Sequence, residues 1–348
     1  MSSESLVDNQ PVLFDTDPSI GVLHTASGRP VYNPGQIIDA AFHHFRKTGF
    51  PYRKLPIHIC MQEINNLATS DPSVWLNSNI GYHVADTYHP HRFAGHADGM
   101  LSPEDAFASD KLLRRTLALD MKFNGSIPDG VPTKLSIVSG TQACSNFRPG
   151  FAMYIYKRFC KAGDTVLDTS TGYGGRLVGF IASGIAGAYI GIDPSTATHD
   201  GNIRMAADLG VGDKVELHCM PAEDVAPFTE RCSFAFTSPP YFSKERYADE
   251  PTQSFNRYRT GDEWRKGFLV PMMRLQYHSL KPGSYAVVNI ADVKLKGKVY
   301  PLVDWTIDAG LTVGFEHIGT EHFGLSKRMG AGQSGVVATE PVLIFKKV

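Results

Sequence analysis

From about residue 164 onward, short apolar runs rich in β-branched residues alternate with segments of helical character, and few folds can satisfy that alternation. The strands read DTVLD (164–168), AYIGID (188–193), KVELHC (214–219), SFAFTS (233–238), YAVVNIAD (285–292), LTVGFEH (311–317) and VLIFKK (342–347). Helical stretches fall near 175–184, 195–209, 261–280 and 299–309. Strand then helix, repeated, predicts a parallel sheet with helices on both faces. No helix separates VLIFKK from the strand before it, so that strand is expected to insert antiparallel.

Residues 1 to about 140 show no such alternation. Helices are expected at 36–48, 57–68 and 103–123, the last marked by Ser102 as cap, Pro103 in the first turn, and Glu104 and Asp105 at the positive end of the helix dipole. HVADTYHPHRFAGHADG (83–99) is expected to be a loop. It carries four histidines, but with no Cys partner and no helical i,i+4 pair a structural or surface role is favoured over a metal site. The expected organisation is an N-terminal, mostly helical region at 1–140 and an α/β domain at 141–348.

With 42% hydrophobic and 20% charged residues, the 348-residue chain has the composition of a soluble globular protein. A net charge of −1 argues against nucleic-acid binding by bulk charge, so any such binding needs a local basic surface. No apolar run is long enough to span a bilayer, and the polar start MSSESLVDNQP does not read as a signal peptide, so no membrane partner is expected. The five cysteines form no CxxC pair, which points to a reducing, cytoplasmic setting without disulfides.

DTVLDTSTGYGGRLVGF (164–180) has strand, glycine-rich turn and helix in that order. Gly172, Gly174 and Gly175 allow unusual φ and close approach of a ligand to the backbone, and the helix N-terminus offers free N–H groups. The next strand ends in Asp193, 25 residues after Asp168, where a carboxylate can accept from both hydroxyls of a ribose. Together they indicate a nucleoside-containing cofactor. Asp168 at the end of the first strand would repel a pyrophosphate but attract the ammonium of an amino acid. Adenosine joined to an α-amino acid is S-adenosylmethionine, and the third strand runs into MPAED, where Glu223 or Asp224 could bond the adenine amino group.

The fourth strand ends in TSPPY, 70 residues after Asp168 (238 − 168). With the glycine loop ahead of it, this order resembles the amino-directed DNA methyltransferases, which methylate cytosine N4 or adenine N6. FRPGFAMYIYKRFCKAGD (147–164) resembles the family's segment that closes over the methionine end of the cofactor, and EPVLIFKK its terminal strand. The resemblance covers about 147–348 and implies a Rossmann-like class I methyltransferase sheet, with cofactor contacts from Phe147, Arg148, Asp168, Thr169, Gly172, Gly174, Asp193, Glu223 and Ser238. The sequence departs from the family in having Thr169-Ser170 where Pro-Phe is usual, Tyr173 between the glycines, and Arg176 opening the helix.

A proline pair ends a strand and freezes the peptide beyond it. An exocyclic base amine is a poor nucleophile because its lone pair is delocalised into the ring. The hydroxyl of Ser238 and the carbonyl of Pro239, aimed at its hydrogens and held by Pro240, would turn the lone pair toward the methyl donor. Tyr241 can stack on a base flipped from the duplex, with Phe242 beside it. The rival cytosine C5 route needs a Pro-Cys nucleophile, and the sequence has none.

Two stretches are candidates for the substrate surface. SKERYADEPTQSFNRYRTGDEWRK (243–266) interleaves aromatics with bases including Lys244, Arg246, Arg257 and Arg259, and a solvated mixed-charge loop is an equal alternative. GTEHFGLSKRMGAGQSG (319–335) is Gly-rich and basic at Lys327 and Arg328. The expected partner is duplex DNA, with target choice residing in 1–140, in these loops or in a separate recognition subunit. The resemblance also implies the base: in that family Ser before the prolines is more often associated with cytosine N4 than with adenine N6. An RNA base methyltransferase and a non-catalytic cofactor-binding subunit are the alternatives; Ser238 and Tyr241, both present, favour an active enzyme.

Overall fold

The computed structural model describes residues 23–24, 30–31, 33–124, 131–138, 140–185, 187–324 and 339–348. Seven strands form the main sheet and are numbered here in chain order: β1 Thr165–Asp168, β2 Ala188–Asp193, β3 Val215–Cys219, β4 Cys232–Thr237, β5 Leu280–Asn289, β6 Phe315–Gly324 and β7 Thr339–Lys347. Their order across the sheet is 3-2-1-4-5-7-6. The pairs β1–β2, β1–β4, β2–β3 and β4–β5 are parallel. β7 inserts antiparallel between β5 and β6, the orientation expected from the sequence. This is a Rossmann-like α/β sheet, parallel except for the antiparallel strand β7.

Period-two alternation explains why the strands read as continuous apolar runs: both faces are covered. Leu167, Ile190, Ala235, Val288 and Leu343 pack on one face with Trp264, Phe268, Met272 and Leu302. Their neighbours Val166, Tyr189, Phe234, Phe236, Val287 and Ile344 pack on the other with Phe151, Ile155, Leu177 and Val178. Parallel order also brings Asp168, Asp193, Cys219, Thr237 and Asn289 to one edge of the sheet, where ligands bind in open α/β folds.

The chain divides into two compact units, and the division differs from the expected boundary near 140. One unit comprises residues 1–52 and 100–143; the other comprises 53–99 and 144–348. In the first, the helix Pro34–Thr48 is held by an Asn33/Gln36 capping box and shares a core of Ala41, Phe42, Phe45, Leu113, Leu117 and Leu135. The single helix expected over 103–123 is two, Pro103–Ala108 and Asp110–Asn124, because Ser109 takes extended backbone between them.

Residues 83–99 are not the expected loop. Tyr82–Tyr88 is a helix that buries Val84, Ala85 and Tyr88, and His96–Ala97 pairs with Glu245–Arg246. At the C-terminal end the expected strand 311–317 begins only at Phe315, since the helix Leu302–Val313 continues until Gly314 caps it at φ 112°. A hairpin, Val293–Leu295 with Lys298–Tyr300, follows β5 where none was expected.

Candidate active site

β1 delivers Asp168 to the sheet edge fully buried, and protein donors surround its carboxylate. Arg176 donates from Nε at 2.8 Å and Nη2 at 3.3 Å, the Tyr189 hydroxyl at 2.6 Å, the Thr237 hydroxyl at 3.0 Å and the Ser170 N–H at 3.2 Å. Arg176 Nη2 also bonds the Ser170 carbonyl. The charge expected to meet an incoming ammonium is therefore already neutralised inside the protein. The ion pair is dry on both sides, and its geometry ties β1, β2, β4 and the first turn of the helix Gly175–Ser183 to one carboxylate. In the sequence Arg176 stands out only as a charge opening the helix, with no indication of its partner.

The three glycines of the turn have different reasons to be glycine. A Cβ on Gly174 would lie 2.7 Å from Asn202 Oδ1, and one on Gly175 would lie 2.0 Å from the Phe147 carbonyl. Those two positions are packing requirements. Gly172, at φ +58°, would meet nothing nearer than the Ser170 carbonyl at 3.8 Å. Its side of the loop is open, so a ligand can come against the backbone there. Thr169 points inward, its Oγ1 accepting from Gln276 at 3.0 Å.

Asp193 closes the loop from β2. Its Oδ2 accepts the Gly172 N–H at 2.8 Å and its Oδ1 the Ser195 N–H at 3.0 Å. Burial pushes its carboxyl up to about 6, against the two N–H groups, which pull it down. Each oxygen keeps a lone pair for a further donor such as a hydroxyl.

At the end of β4, Pro239 is buried and Ser238, Pro240 and Tyr241 are half-buried. Ser238 Oγ donates to Asn289 Oδ1 at 3.5 Å, a long bond. Asn289 ends β5, and its Nδ2 donates to the Pro341 carbonyl at 3.1 Å, which fixes the amide with its oxygen toward Ser238. The Tyr241 hydroxyl donates to Glu340 Oε1 at 2.6 Å, and burial with that carboxylate holds the phenol well above its usual range. Lys244 Nζ lies 5.4 Å from the Tyr241 ring centroid. Asn289 and Glu340 were missed in the sequence; a polar residue ending an apolar strand at this edge was the available signal.

Phe242 does not join the site. At φ +54° it turns into the core, 4% exposed, with its ring 5.0 Å from Tyr300 and 6.1 Å from Trp264. Positive φ at a bulky residue is the cost of reversing the chain immediately after the proline pair. Phe147 stacks on Phe151 at 5.4 Å and under the Arg176 guanidinium at 5.2 Å; Arg148 donates to the Leu76 carbonyl at 3.3 Å.

The stretch after the motif is largely a strap along the sheet edge. Glu245 accepts from the Ser145 N–H, the Thr252 hydroxyl donates to the Pro194 carbonyl, and Glu250 accepts the Thr196 N–H at the start of the helix after β2. Arg257 bonds Glu223 at 2.9 Å and Asp224 at 2.8 and 3.0 Å, so one guanidinium is shared by two carboxylates at the end of β3. Burial raises the Glu223 carboxyl, and Arg257 opposes it. Arg246 lies over Phe255 at 4.6 Å and 3.5 Å from Asp98. Arg259 is exposed. Lys327 and Arg328 lie outside the described residues.

His89 and His91 are packed with Tyr173, and burial lowers both to about 4, so they are neutral at physiological pH. Among the described residues, no group of three or more His, Cys, Asp or Glu is placed to hold a metal ion. All five cysteines are free, and no helix of the described residues is long and apolar enough to cross a membrane.

No family model matches the chain, and no curated protein matches it. Solved structures do. A geranyl diphosphate methyltransferase in complex with GPP and sinefungin aligns with TM-score 0.44 and 13% identity, covering 83% of this chain and 100% of its own. The [4+2]-cyclase SpnF aligns with TM-score 0.42 and 16% identity over 57% of this chain and 81% of its own. TrmN from Thermus thermophilus aligns with TM-score 0.41 and 16% identity over 57% of this chain and 49% of its own.

Proposed function

We propose that the protein is an S-adenosylmethionine-dependent methyltransferase acting on an exocyclic base amine of DNA, cytosine N4 ahead of adenine N6. The observation that carries this reading is the meeting of three features at the carboxyl ends of adjacent strands: the open face of Gly172, the Asp193 carboxylate and the Ser238-Pro239-Pro240-Tyr241 turn. The residues fit the cofactor. Asp193 can receive the ribose hydroxyls, the Gly172 backbone can lie against it, and Glu223 stands at the end of the next strand. Asp168 enters as the organiser of the loop through Arg176 instead of as a free partner for the ammonium.

When bound, the cofactor supplies an electrophilic methyl group on a sulfonium. The protein's part is to prepare the amine. Because the Ser238 proton is directed to Asn289, its Oγ faces the substrate as an acceptor. That acceptor and the Pro239 carbonyl hold the two amine hydrogens and leave the nitrogen lone pair directed away from them. The Tyr241 hydroxyl is anchored on Glu340, which fixes the ring as a stacking surface, and Lys244 beside it adds positive charge next to the base.

Mass spectrometry of nucleosides from DNA and RNA of cells expressing the protein, beside a Ser238→Ala control, tests the proposal. N4-methylcytosine in DNA of the parent alone is the expected result. N6-methyladenine would correct the base, and a methylated nucleoside confined to RNA would overturn the DNA assignment.

A further inference from the structure

The hairpin after β5 carries VKLKGKVY, with Val293–Leu295 paired to Lys298–Tyr300 across the two-residue turn Lys296-Gly297. A two-stranded hairpin is marginal by itself. This one is anchored by Val293, 4% exposed, and by Leu295 and Tyr300 packed against the core that contains Trp264 and Phe242. Tyr300 meets the Phe242 ring at 5.0 Å, and Phe242 follows Tyr241 directly. Three residues separate Asn289 from Val293, four Cα steps that span at most about 14 Å. The hairpin therefore packs on the same core as the residue that follows the Ser238-Pro239-Pro240-Tyr241 turn.

Lys294, Lys296 and Lys298 are all exposed. Lys296 occupies the first turn position at φ +49°, where Asn, Asp or Gly is the usual choice, so the chain accepts backbone strain with a cation at the tip. Lys294 and Lys298 have no carboxylate partner among the described residues. Lys296, with an 88% exposed side chain, lies 3.9 Å from Asp98, which also faces Arg246 at 3.5 Å. Three further carboxylates near this rim keep their charge but are held by neutral donors: Asp292 by the Val303 N–H, Glu245 by the Ser145 N–H and the Tyr247 hydroxyl, Glu340 by the Tyr241 hydroxyl. In a chain of net charge −1, two lysines without a carboxylate partner and a third that shares Asp98 with Arg246, all on one projecting element beside the site, form a local basic surface for a polyanion.

We propose that the hairpin Val293–Tyr300 is an arm that grips the phosphate backbone of duplex DNA and holds it against the Ser238 turn. This rests on the function proposed above. The backbone contact fixes register and carries no sequence information.

The test is fluorescence anisotropy of a labelled 20-base-pair duplex and a labelled single-stranded RNA between 50 and 200 mM salt. The parent is compared with Lys294→Gln/Lys296→Gln/Lys298→Gln and with a charge-matched control, Lys161→Gln/Lys214→Gln/Lys281→Gln. The control lysines are exposed near the amino ends of β1, β3 and β5. Cofactor titration calorimetry on all three proteins, together with the single variants, checks that each is folded. If three phosphate contacts are lost, the hairpin variant should show a log affinity versus log salt slope shallower by about 2.7 on duplex DNA, with the control unchanged. Equal slopes for parent and hairpin variant would overturn the arm while leaving the methyltransferase reading intact. An effect on RNA alone would overturn the DNA assignment. A parent that binds neither nucleic acid at 50 mM salt, yet binds cofactor, would overturn the nucleic-acid substrate and the arm together.

Discussion

Asn289 shows how one side chain can set the chemistry of another. Its amide cannot flip, because the Pro341 carbonyl accepts from Nδ2, so Oδ1 must face the Ser238 and Tyr241 hydroxyls. Asn289→Ala frees the Ser238 proton to turn toward the substrate and removes an orienting bond worth about 0.5–1.5 kcal/mol. We expect kcat to fall roughly tenfold, with cofactor affinity unchanged, in steady-state and titration measurements; an equal loss of cofactor affinity would show that Asn289 only supports the fold. Asp193 makes a second prediction, on pH. Its carboxyl titrates near 6 in the folded chain against an ordinary 3.8. The folded state thus takes up this proton more readily than the unfolded state, so the group's contribution to stability declines as pH rises from about 4 to 6. Cofactor hydroxyls donate to the charged form, so cofactor affinity should do the opposite, falling as pH drops below 6 and releasing a proton on binding there. Calorimetry in two buffers of different ionisation heat reads that proton; affinity flat from pH 5 to 8 would place the ribose elsewhere.

Elements were legible wherever an apolar run ended in a polar residue at the sheet edge, as at Asp168, Asp193 and Ser238. They were not legible where tertiary contacts made the decision. The helix Tyr82–Tyr88 has only two turns, and its Val84, Ala85 and Tyr88 give too short a pattern to distinguish it from a histidine-rich loop. The three-residue strands of the 293–300 hairpin are too brief to show period two, and their lysines hide the buried Val293. Phe242 looked like a pocket residue beside Tyr241 until the backbone reversal sent it into the core. The Arg176–Asp168 pair was invisible because a single sequence shows a charge, not its partner. The glycine turn makes this distinction testable. Gly175→Ala drives a Cβ to within 2.0 Å of a backbone carbonyl, which has nowhere to go. It should lower stability at the upper end of the roughly 1–3 kcal/mol typical of overpacking. Gly172→Ala meets open space and should cost only the roughly 1–2 kcal/mol of left-handed backbone, yet weaken the cofactor more than it weakens the fold. Thermal unfolding beside cofactor titration gives both numbers, and the reverse ranking would mean that Gly172 does not face the ligand.

At the scale of the whole molecule, the parallel sheet has a direction, and the proposed chemistry uses only one of its edges. The amino ends of β1, β4 and β5 carry turns and exposed charges such as Lys161, Arg231 and Lys281, whereas the carboxyl ends carry Asp168, Asp193, Ser238 and Asn289. A net charge of −1 says nothing of this polarity, because it averages over both edges. Ligand binding should reveal it. At a hundredfold excess over its dissociation constant, a cofactor that binds only the folded state adds about 2.7 kcal/mol to stability. Amide hydrogen exchange would show where that energy acts, since segments that contact the ligand open less often. We expect slowed exchange at 168–176, 191–196 and 237–242 when S-adenosylmethionine is added, and little change at 161–164 and 229–233 at the opposite edge. Asp193→Ala should abolish the difference, because it removes both the acceptor for the hydroxyls and the anchor of the Gly172 N–H. Protection spread evenly over both edges would indicate general tightening of the fold, and the site would then have to be sought away from the carboxyl ends of the strands.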